Sequence, residues 1–159
     1  MMRKTVLFLC TGNYYRSRFA ESLFNDLAQR QGLNWRATSG GTATELGVNN
    51  VGPISQFVAP ELIRRGITVD PEPRFPCQVL EADLAQADLI VALKEEEHRP
   101  HLTTRFPSWA DRVTYWQIHD IDLMTPPEAF AVIGQAVEHL VAELLEKQTS
   151  LRTEGEPEP

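Results

Sequence analysis

The sequence has few of the features that would mark an exported or membrane-embedded chain. It contains only two cysteines, Cys10 and Cys77, and they lie far apart, so no disulfide framework is indicated and a reducing compartment fits. The longest apolar run near the N-terminus, residues 6–10, is too short for the core of a signal peptide or for a membrane span. We therefore expect a soluble, cytoplasmic protein with no membrane partner.

Basic residues are also in the minority, with 15 Lys and Arg against 22 Asp and Glu and a formal net charge of -7 at pH 7. Nucleic-acid affinity rests largely on basic side chains that neutralise phosphates, so this balance argues against a nucleic-acid partner. A chain of 159 residues, 42% of them hydrophobic, can bury one substantial core. One domain is the expected organisation, and we favour a monomer.

Short apolar runs of strand character alternate with amphipathic stretches along the chain. Strands separated by helices are typical of a parallel sheet covered on both faces. The sequence therefore predicts an α/β fold in three layers, with a central four-stranded parallel sheet and helices on both faces. The strand candidates are residues 5–9, 36–39, 88–93 and 113–116.

Helical periodicity and helix-ending residues place the remaining elements. The last helix should complete a catalytic domain over residues 1–148, and the acidic residues 149–159, which carry little apolar surface, should form a disordered tail. The predicted helices are one that follows Ser17 and ends at Gly32, one over residues 53–65 closed by Gly66, one starting at residues 94–98 and limited or kinked by Pro100, and a long one from Pro126.

The segment between the first strand and the first helix has the residue types of a phosphate-binding loop. A turn there directs backbone N–H groups toward a common centre, and the helix start adds partial positive charge. A cysteine at the end of a strand is more often an inert core residue, and the Cys-x5-Arg spacing alone is a weak pattern. The loop reads Cys10-Thr11-Gly12-Asn13-Tyr14-Tyr15-Arg16-Ser17.

Each residue type in this loop has a physical reason to be there. Gly12 tolerates positive φ, and Asn13 visits the left-handed region more readily than most side chains do. The planar fork of Arg16 matches two phosphate oxygens. These dipoles and charges should favour a nucleophilic thiolate at Cys10, and we expect the Ser17 hydroxyl to donate a hydrogen bond to it.

From these residues the sequence resembles the low-molecular-weight protein tyrosine phosphatase family. The family signature is an apolar strand, then C-x-G-N-x-C-R-S-P, then a helix carrying Ala-Glu, and residues 6–21 read VLFLCTGNYYRSRFAE. The resemblance extends over most of the chain. It implies that Cys10 is the nucleophile, that residues 11–17 bind phosphate with Arg16 clamping it, and that no cofactor or metal is needed.

Two positions depart from this signature. Tyr15 stands in the place of the family's frequent second loop cysteine, so the reversible loop disulfide of some members cannot form. Arg18 replaces the usual proline. Neither change removes a catalytic group, so we expect activity to survive both.

The family resemblance also implies a general acid, an aspartate that members carry in an Asp-Pro pair late in the chain. Asp120 falls at the matching place but is followed by Ile121. Asp122 competes for the role, and the alternative for both is solvation or capping of the helix near Pro126. We assign the acid to Asp120.

Many members place aromatic residues after this aspartate as walls for a phosphotyrosine ring. Here Leu123 and Met124 follow instead. Tyr14 is an alternative aromatic wall, and its packing against the neighbouring helix is an equally good interpretation.

The function that this reading predicts is hydrolysis of phosphotyrosine in a protein, or of another small aryl phosphate, through a phosphocysteine. A thiol-dependent arsenate reductase is the alternative enzyme, although only Cys77 is present for the redox relay. A catalytically weak phosphate or phosphotyrosine binder is the alternative outside enzymes. His98 and His101 have the spacing of a metal pair, but no third ligand is evident, so no metal is assigned.

Overall fold

Strands and helices alternate along the chain as predicted, in a computed structural model that describes residues 2–120 and 122–155. Short 3-10 turns at Thr44–Gly47 and Ala110–Arg112 supplement the main elements. Within the described residues the elements are β1 (Lys4–Cys10), α1 (Arg16–Gln31), β2 (Trp35–Gly41), α2 (Val58–Arg64), α3 (Glu81–Gln86), β3 (Leu89–Ala92), α4 (Glu95–Arg105), β4 (Thr114–Tyr115) and α5 (Pro126–Gly155).

The four strands form one parallel sheet in the order β2-β1-β3-β4. Alternate residues of β1 point to opposite faces. Val6 and Phe8 join the core that contains α1 and α5, whereas Leu7 and Leu9 join the core beneath α3 and α4. The predicted three-layer α/β fold is thus confirmed, and residues 6–10 of β1 are all apolar because both faces of this part of the strand are buried.

Helix α1 carries the first core face, and it ends where the sequence predicts. Leu23 and Phe24 lie three and four residues after Ala20, and all three are buried. Gly32 adopts φ 73°, in the left-handed region, and its N–H donates to the carbonyl of Ala28. This geometry satisfies a terminal carbonyl and turns the chain toward β2.

Helix α2 is shorter than the predicted helix over residues 53–65, because it begins only at Val58. The preceding residues stay outside the helix, and the N–H of Ser55 donates to the carbonyl of Tyr14 at 3.0 Å. The end of the helix agrees with prediction, since Gly66 follows with φ 78°. The residues before α2 therefore form a wall beside the Cys10–Ser17 loop.

The sequence predicted that Pro100 would either limit or kink helix α4, and the helix is not limited there, because it continues to Arg105. Proline removes one N–H donor from a helix, yet packing of the buried His98 and Leu102 holds this segment in place. Helix α3 was not predicted, since its six residues carry only one buried side chain, Leu84.

Helix α5 extends to Gly155, through residues that the sequence assigned to a disordered tail from Thr149. Leu151 and Arg152 are good helix formers, and extending an existing helix costs little compared with starting one. Residues 156–159 lie outside the described part of the chain. None of the described helices is long and apolar enough to cross a bilayer.

Candidate active site

The Cys10–Ser17 loop lies at the carboxyl end of β1, the strand between β2 and β3. The chain adds β2 on one side of β1 and later adds β3 on the other, so a crevice opens at this edge of the sheet. The loop leads directly into α1, and α4 begins close to it after β3. Two helix N-termini therefore face the crevice.

Asn13 sets the curvature of the loop. It is the only non-glycine residue with positive φ in the described chain, at 52°. Its amide nitrogen donates to Ser17 Oγ at 2.9 Å and to Ser39 Oγ at 3.0 Å. Gly12, the other residue of the loop that tolerates positive φ, does not adopt it. The loop needs one left-handed residue, and hydrogen bonds stabilise that conformation at Asn13 instead.

Two residues far along the chain fix the orientation of the Asn13 amide. Arg74 Nη1 donates to Asn13 Oδ1 at 2.8 Å, and the backbone N–H of Cys77 donates to the same oxygen at 3.1 Å. Both are donors only, so the amide oxygen must face them and the amide nitrogen must face Ser17. Sequence reasoning missed Arg74.

The sulfur of Cys10 lies 2.9 Å from Ser17 Oγ, and both residues are buried. Because Ser17 Oγ accepts the hydrogen bond from Asn13, its own hydrogen is free to point at the sulfur. The Ser17 hydroxyl can therefore donate a hydrogen bond to the Cys10 sulfur. The contact expected between Cys10 and Ser17 is therefore present.

Arg16, at the far end of the loop, is held rigidly. The side chain is 2% exposed, and Nη1 donates to the carbonyl of Ile118 at 3.0 Å. Nη2 donates to Glu97 Oε2 at 2.5 Å and lies 3.5 Å from Asp120 Oδ2. Burial acts to lower the pKa of Arg16, but the anionic neighbours Cys10, Glu97 and Asp120 raise it overall. The guanidinium is therefore a permanent cation.

Glu97 and His98, at the start of α4, also contact the loop, and the sequence predicted neither role. Glu97 Oε2 accepts hydrogen bonds from Thr11 Oγ1 and from Arg16. His98 is fully buried, and its Nε2 lies 3.0 Å from the same oxygen. A signal was available, because an acidic segment that follows β3 must lie at the same sheet edge as the loop.

The two histidines considered as a metal pair both bind protein groups. His98 Nδ1 accepts a hydrogen bond from the Lys94 N–H at 3.0 Å, and His101 Nδ1 lies 2.8 Å from Thr42 Oγ1. Among the described residues, no group of three or more His, Cys, Asp or Glu side chains is arranged to hold a metal ion.

A cavity of about 570 Å³ opens over the loop. Tyr14 lines it, and the Tyr14 hydroxyl donates to the carbonyl of Val51 at 2.5 Å. Tyr14 is therefore a wall of the cavity and also a tether for the segment before α2, a role that sequence reasoning did not assign to residues 49–57. The lining residues are Cys10, Gly12, Tyr14, Tyr15, Arg16, Asn49, Asn50, Val51, Ile54, Ser55, Gln56, Phe57 and Asp120.

Of the two aspartates considered as the acid, only Asp120 lines this cavity. The Asp120 carbonyl accepts hydrogen bonds from the N–H groups of Leu123 and Met124, both at 3.0 Å, which form a turn after it. Asp122 is exposed and lies outside the cavity lining. The geometry brings Asp120, but not Asp122, to Cys10 and Arg16.

Tyr15, at the position of the family's second cysteine, is buried against Phe130, with ring centroids 5.4 Å apart. Burial, and next the nearby Asp120 carboxylate, raises its pKa to about 12, despite the opposing charge of Arg16. Tyr15 is therefore neutral at physiological pH.

Arg18, at the position of the usual proline, is buried behind the loop. It donates to the backbone carbonyls of Asn13, Pro53 and Arg74 at 3.2, 3.1 and 2.7 Å. Burial, and then the charge of Arg74, lowers its pKa. Arg18 thus ties the loop to two distant segments, so the departure from the signature stabilises the loop.

Comparison with known proteins gives a family match over nearly the whole chain. Residues 5–154 match the model for "Low molecular weight phosphotyrosine protein phosphatase". The low molecular weight protein-tyrosine-phosphatase YfkJ of Bacillus subtilis is 36% identical over 93 residues, which cover 58% of this chain and 57% of that protein. A protein-arginine-phosphatase of the same organism is 28% identical over 108 residues, covering 68% of this chain and 67% of that protein.

Solved structures agree with this match. The crystal structure of YfkJ from Bacillus subtilis superposes with a TM-score of 0.76 at 26% identity, covering 98% of this chain and 99% of that one. The low molecular weight protein tyrosine phosphatase from T. tengcongensis gives a TM-score of 0.69 at 27% identity, covering 91% and 99%. The resemblance inferred from the loop sequence is thus confirmed, and this chain belongs to the low molecular weight phosphotyrosine protein phosphatase family of hydrolases.

Proposed function

We propose that this phosphatase hydrolyses aryl phosphate monoesters, with protein phosphotyrosine as the substrate class, through a phosphocysteine intermediate. The observation that carries the proposal is that Cys10, Arg16 and Asp120 line one cavity. A nucleophile, a fixed cation and a carboxyl group are the three elements that two-step displacement at phosphorus requires.

In the first step the Cys10 thiolate attacks phosphorus, so an S–P bond forms as the bond to the aryl oxygen breaks. Arg16 and the loop N–H groups stabilise the charge on the equatorial oxygens. Asp120 donates its proton to the leaving oxygen, which is poorly expelled as an anion. The products are a phenol and the phosphoenzyme.

In the second step water attacks the phosphocysteine, and the Asp120 carboxylate accepts a proton from that water. The S–P bond breaks, and the thiolate of Cys10 is regenerated as phosphate forms. The hydroxyl of Ser17, 2.9 Å from the sulfur, stabilises the departing thiolate. No cofactor enters either step.

The cavity walls favour an aromatic substrate. Tyr14, Ile54 and Phe57 present apolar surface beside Cys10, and a flat ring packs well against such walls. The two Bacillus subtilis relatives are named for phosphotyrosine and phosphoarginine. A phosphoarginine side chain is polar along its reacting end and would gain less from packing against these three apolar walls.

The test compares turnover of p-nitrophenyl phosphate and of two peptides of one sequence, carrying phosphotyrosine or phosphoarginine, by wild type and Cys10→Ala. We expect the wild type to prefer the phosphotyrosine peptide and Cys10→Ala to be inactive. Preference for phosphoarginine would overturn the substrate class. A burst of phenol without steady turnover would indicate a binder, and arsenate reduction with added thiol in place of ester hydrolysis would indicate the reductase.

A further inference from the structure

Three hydrogen-bond donors converge on one carboxylate oxygen at the start of α4. Glu97 Oε2 accepts from Thr11 Oγ1 and from Arg16 Nη2 at 2.5 Å, and His98 Nε2 lies 3.0 Å from the same oxygen and 3.2 Å from Thr11 Oγ1. The carboxylate is 26% exposed, so it lies at the edge of the site. Thr11 follows the nucleophile and Arg16 ends the loop, so Glu97 connects the two ends of the phosphate cradle.

The backbone determines which form His98 takes. The Lys94 N–H donates to His98 Nδ1 at 3.0 Å, so in the neutral ring the hydrogen sits on Nε2, the atom that faces Glu97. Burial lowers the pKa of His98, against the opposing hydrogen bond to Glu97, and keeps the ring neutral. Glu97 is therefore surrounded by donors and is held as an anion.

The contacts of Arg16 show what this anion does. A guanidinium has five N–H groups, and the bonds to Ile118 and Glu97 use two of them. The two hydrogen bonds are donated by different terminal nitrogens, so they fix the plane of the guanidinium group. The other three N–H groups remain for other acceptors. The orientation of Arg16 is thus set before a phosphate arrives.

We propose that Glu97 is a positioning residue for phosphoryl transfer, which orients Arg16 and Thr11 for the transition state at a cost in affinity for ground-state phosphate. The inference rests on the phosphatase activity proposed above. A fixed donor that needs no reorganisation stabilises a developing charge most effectively. A negative charge beside the phosphate site, however, repels the bound dianion.

These two effects predict that removal of the Glu97 charge lowers kcat but strengthens the binding of inorganic phosphate. Loss of a merely structural residue would not produce this combination. Glu97→Gln removes the charge and retains the size, so Arg16 loses its fixed orientation while the cradle becomes more positive. We expect kcat for p-nitrophenyl phosphate to fall about tenfold to hundredfold, as for loss of a charge-assisted hydrogen bond. The inhibition constant for inorganic phosphate should fall at least about twofold.

The matched control is Glu96→Gln, which removes the same charge from an exposed position in the same turn of α4. For Glu96→Gln, kcat and the inhibition constant for inorganic phosphate should both stay within about twofold of the wild-type values. If Glu97→Gln keeps the wild-type kcat, or if its kcat falls while phosphate inhibits less well, the positioning role is wrong. An inactive wild type would instead refute the proposed function, so the two failures are distinguishable.

A second variant covers the case in which Glu97→Gln does not fold. Thr11→Val removes the hydroxyl group that contacts both Glu97 and His98, and it leaves the Glu97 charge in place. We expect kcat to fall several-fold with the phosphate inhibition constant unchanged within about twofold. A Thr11→Val enzyme with wild-type kcat, or one in which phosphate inhibits much less well, would overturn the proposal.

Discussion

The substitution Asp120→Asn keeps the size of the side chain, but the new amide group cannot give a proton to a leaving oxygen. The Asp120 carboxyl group lines the cavity with Cys10, and its Oδ2 lies 3.5 Å from Nη2 of Arg16, the proposed phosphate clamp. Positioned general acids contribute about 10²–10⁴ in rate. The Asp120 side chain is 43% exposed, so water can replace part of its function. We therefore expect Asp120→Asn to lower kcat/KM about a hundredfold, which is equivalent to about 2.7 kcal/mol in the activation barrier.

The loss should depend on the leaving group, because an acid matters most when the departing oxygen is strongly basic. Phenyl phosphate should therefore be affected more than p-nitrophenyl phosphate, whose phenolate leaves readily. The assay is kcat/KM of wild type and Asp120→Asn on both esters, since this ratio reports the first transition state.

Asp122→Asn is the control, since Asp122 is exposed and does not line the cavity. Its kcat/KM should stay within about twofold of the wild-type value. Equal kcat/KM for Asp120→Asn and wild type on both esters, or a loss confined to Asp122→Asn, would refute the assignment of the acid.

Three further substitutions test other parts of the site. Arg16→Lys should lower kcat/KM about a hundredfold in steady-state assays, since an ammonium group cannot reproduce the planar fork, and near-normal turnover would contradict the clamp. Gly41→Ala would place Cβ 2.7 Å from the carbonyl oxygen of Thr11, so urea unfolding should show a loss of about 1–3 kcal/mol, whereas unchanged stability would argue against this close approach. The pKa of His98 is lowered in the fold, so the unfolded chain binds the proton more readily and stability falls as pH drops below about 6.5. Between pH 7.5 and 5.5 the wild type should lose up to about 1.4 kcal/mol that His98→Gln does not lose, and identical pH dependence in the two proteins would contradict this.

The fold and the phosphate loop could be predicted from sequence because their signals are local. A buried strand, a turn and an amphipathic helix occupy consecutive residues, and the resulting parallel sheet follows from repeating that pattern. The left-handed residue was expected at Gly12 or Asn13, and only Asn13 adopts positive φ. Side-chain hydrogen bonds from a distant segment, chiefly from Arg74, decided between them.

The partners of the loop could not be predicted because they come from elsewhere in the chain. Glu97 reads as an ordinary acidic residue in the first turn of a helix, and only the sheet order brings α4 beside the loop. The same holds for residues 49–57, which form a wall of the cavity, although residues 53–57 were predicted to begin a helix. Pro100 favoured a helix end, and burial of Leu102 outweighed it.

Identification of the covalent intermediate would decide whether Cys10 is the nucleophile. Wild-type enzyme mixed rapidly with p-nitrophenyl phosphate and quenched in acid should gain the mass of one phosphoryl group, and peptide mapping should locate that group on Cys10. Cys10→Ala should gain none. Steady turnover without a phosphorylated enzyme, or a phosphoryl group on any other residue, would contradict the proposed mechanism.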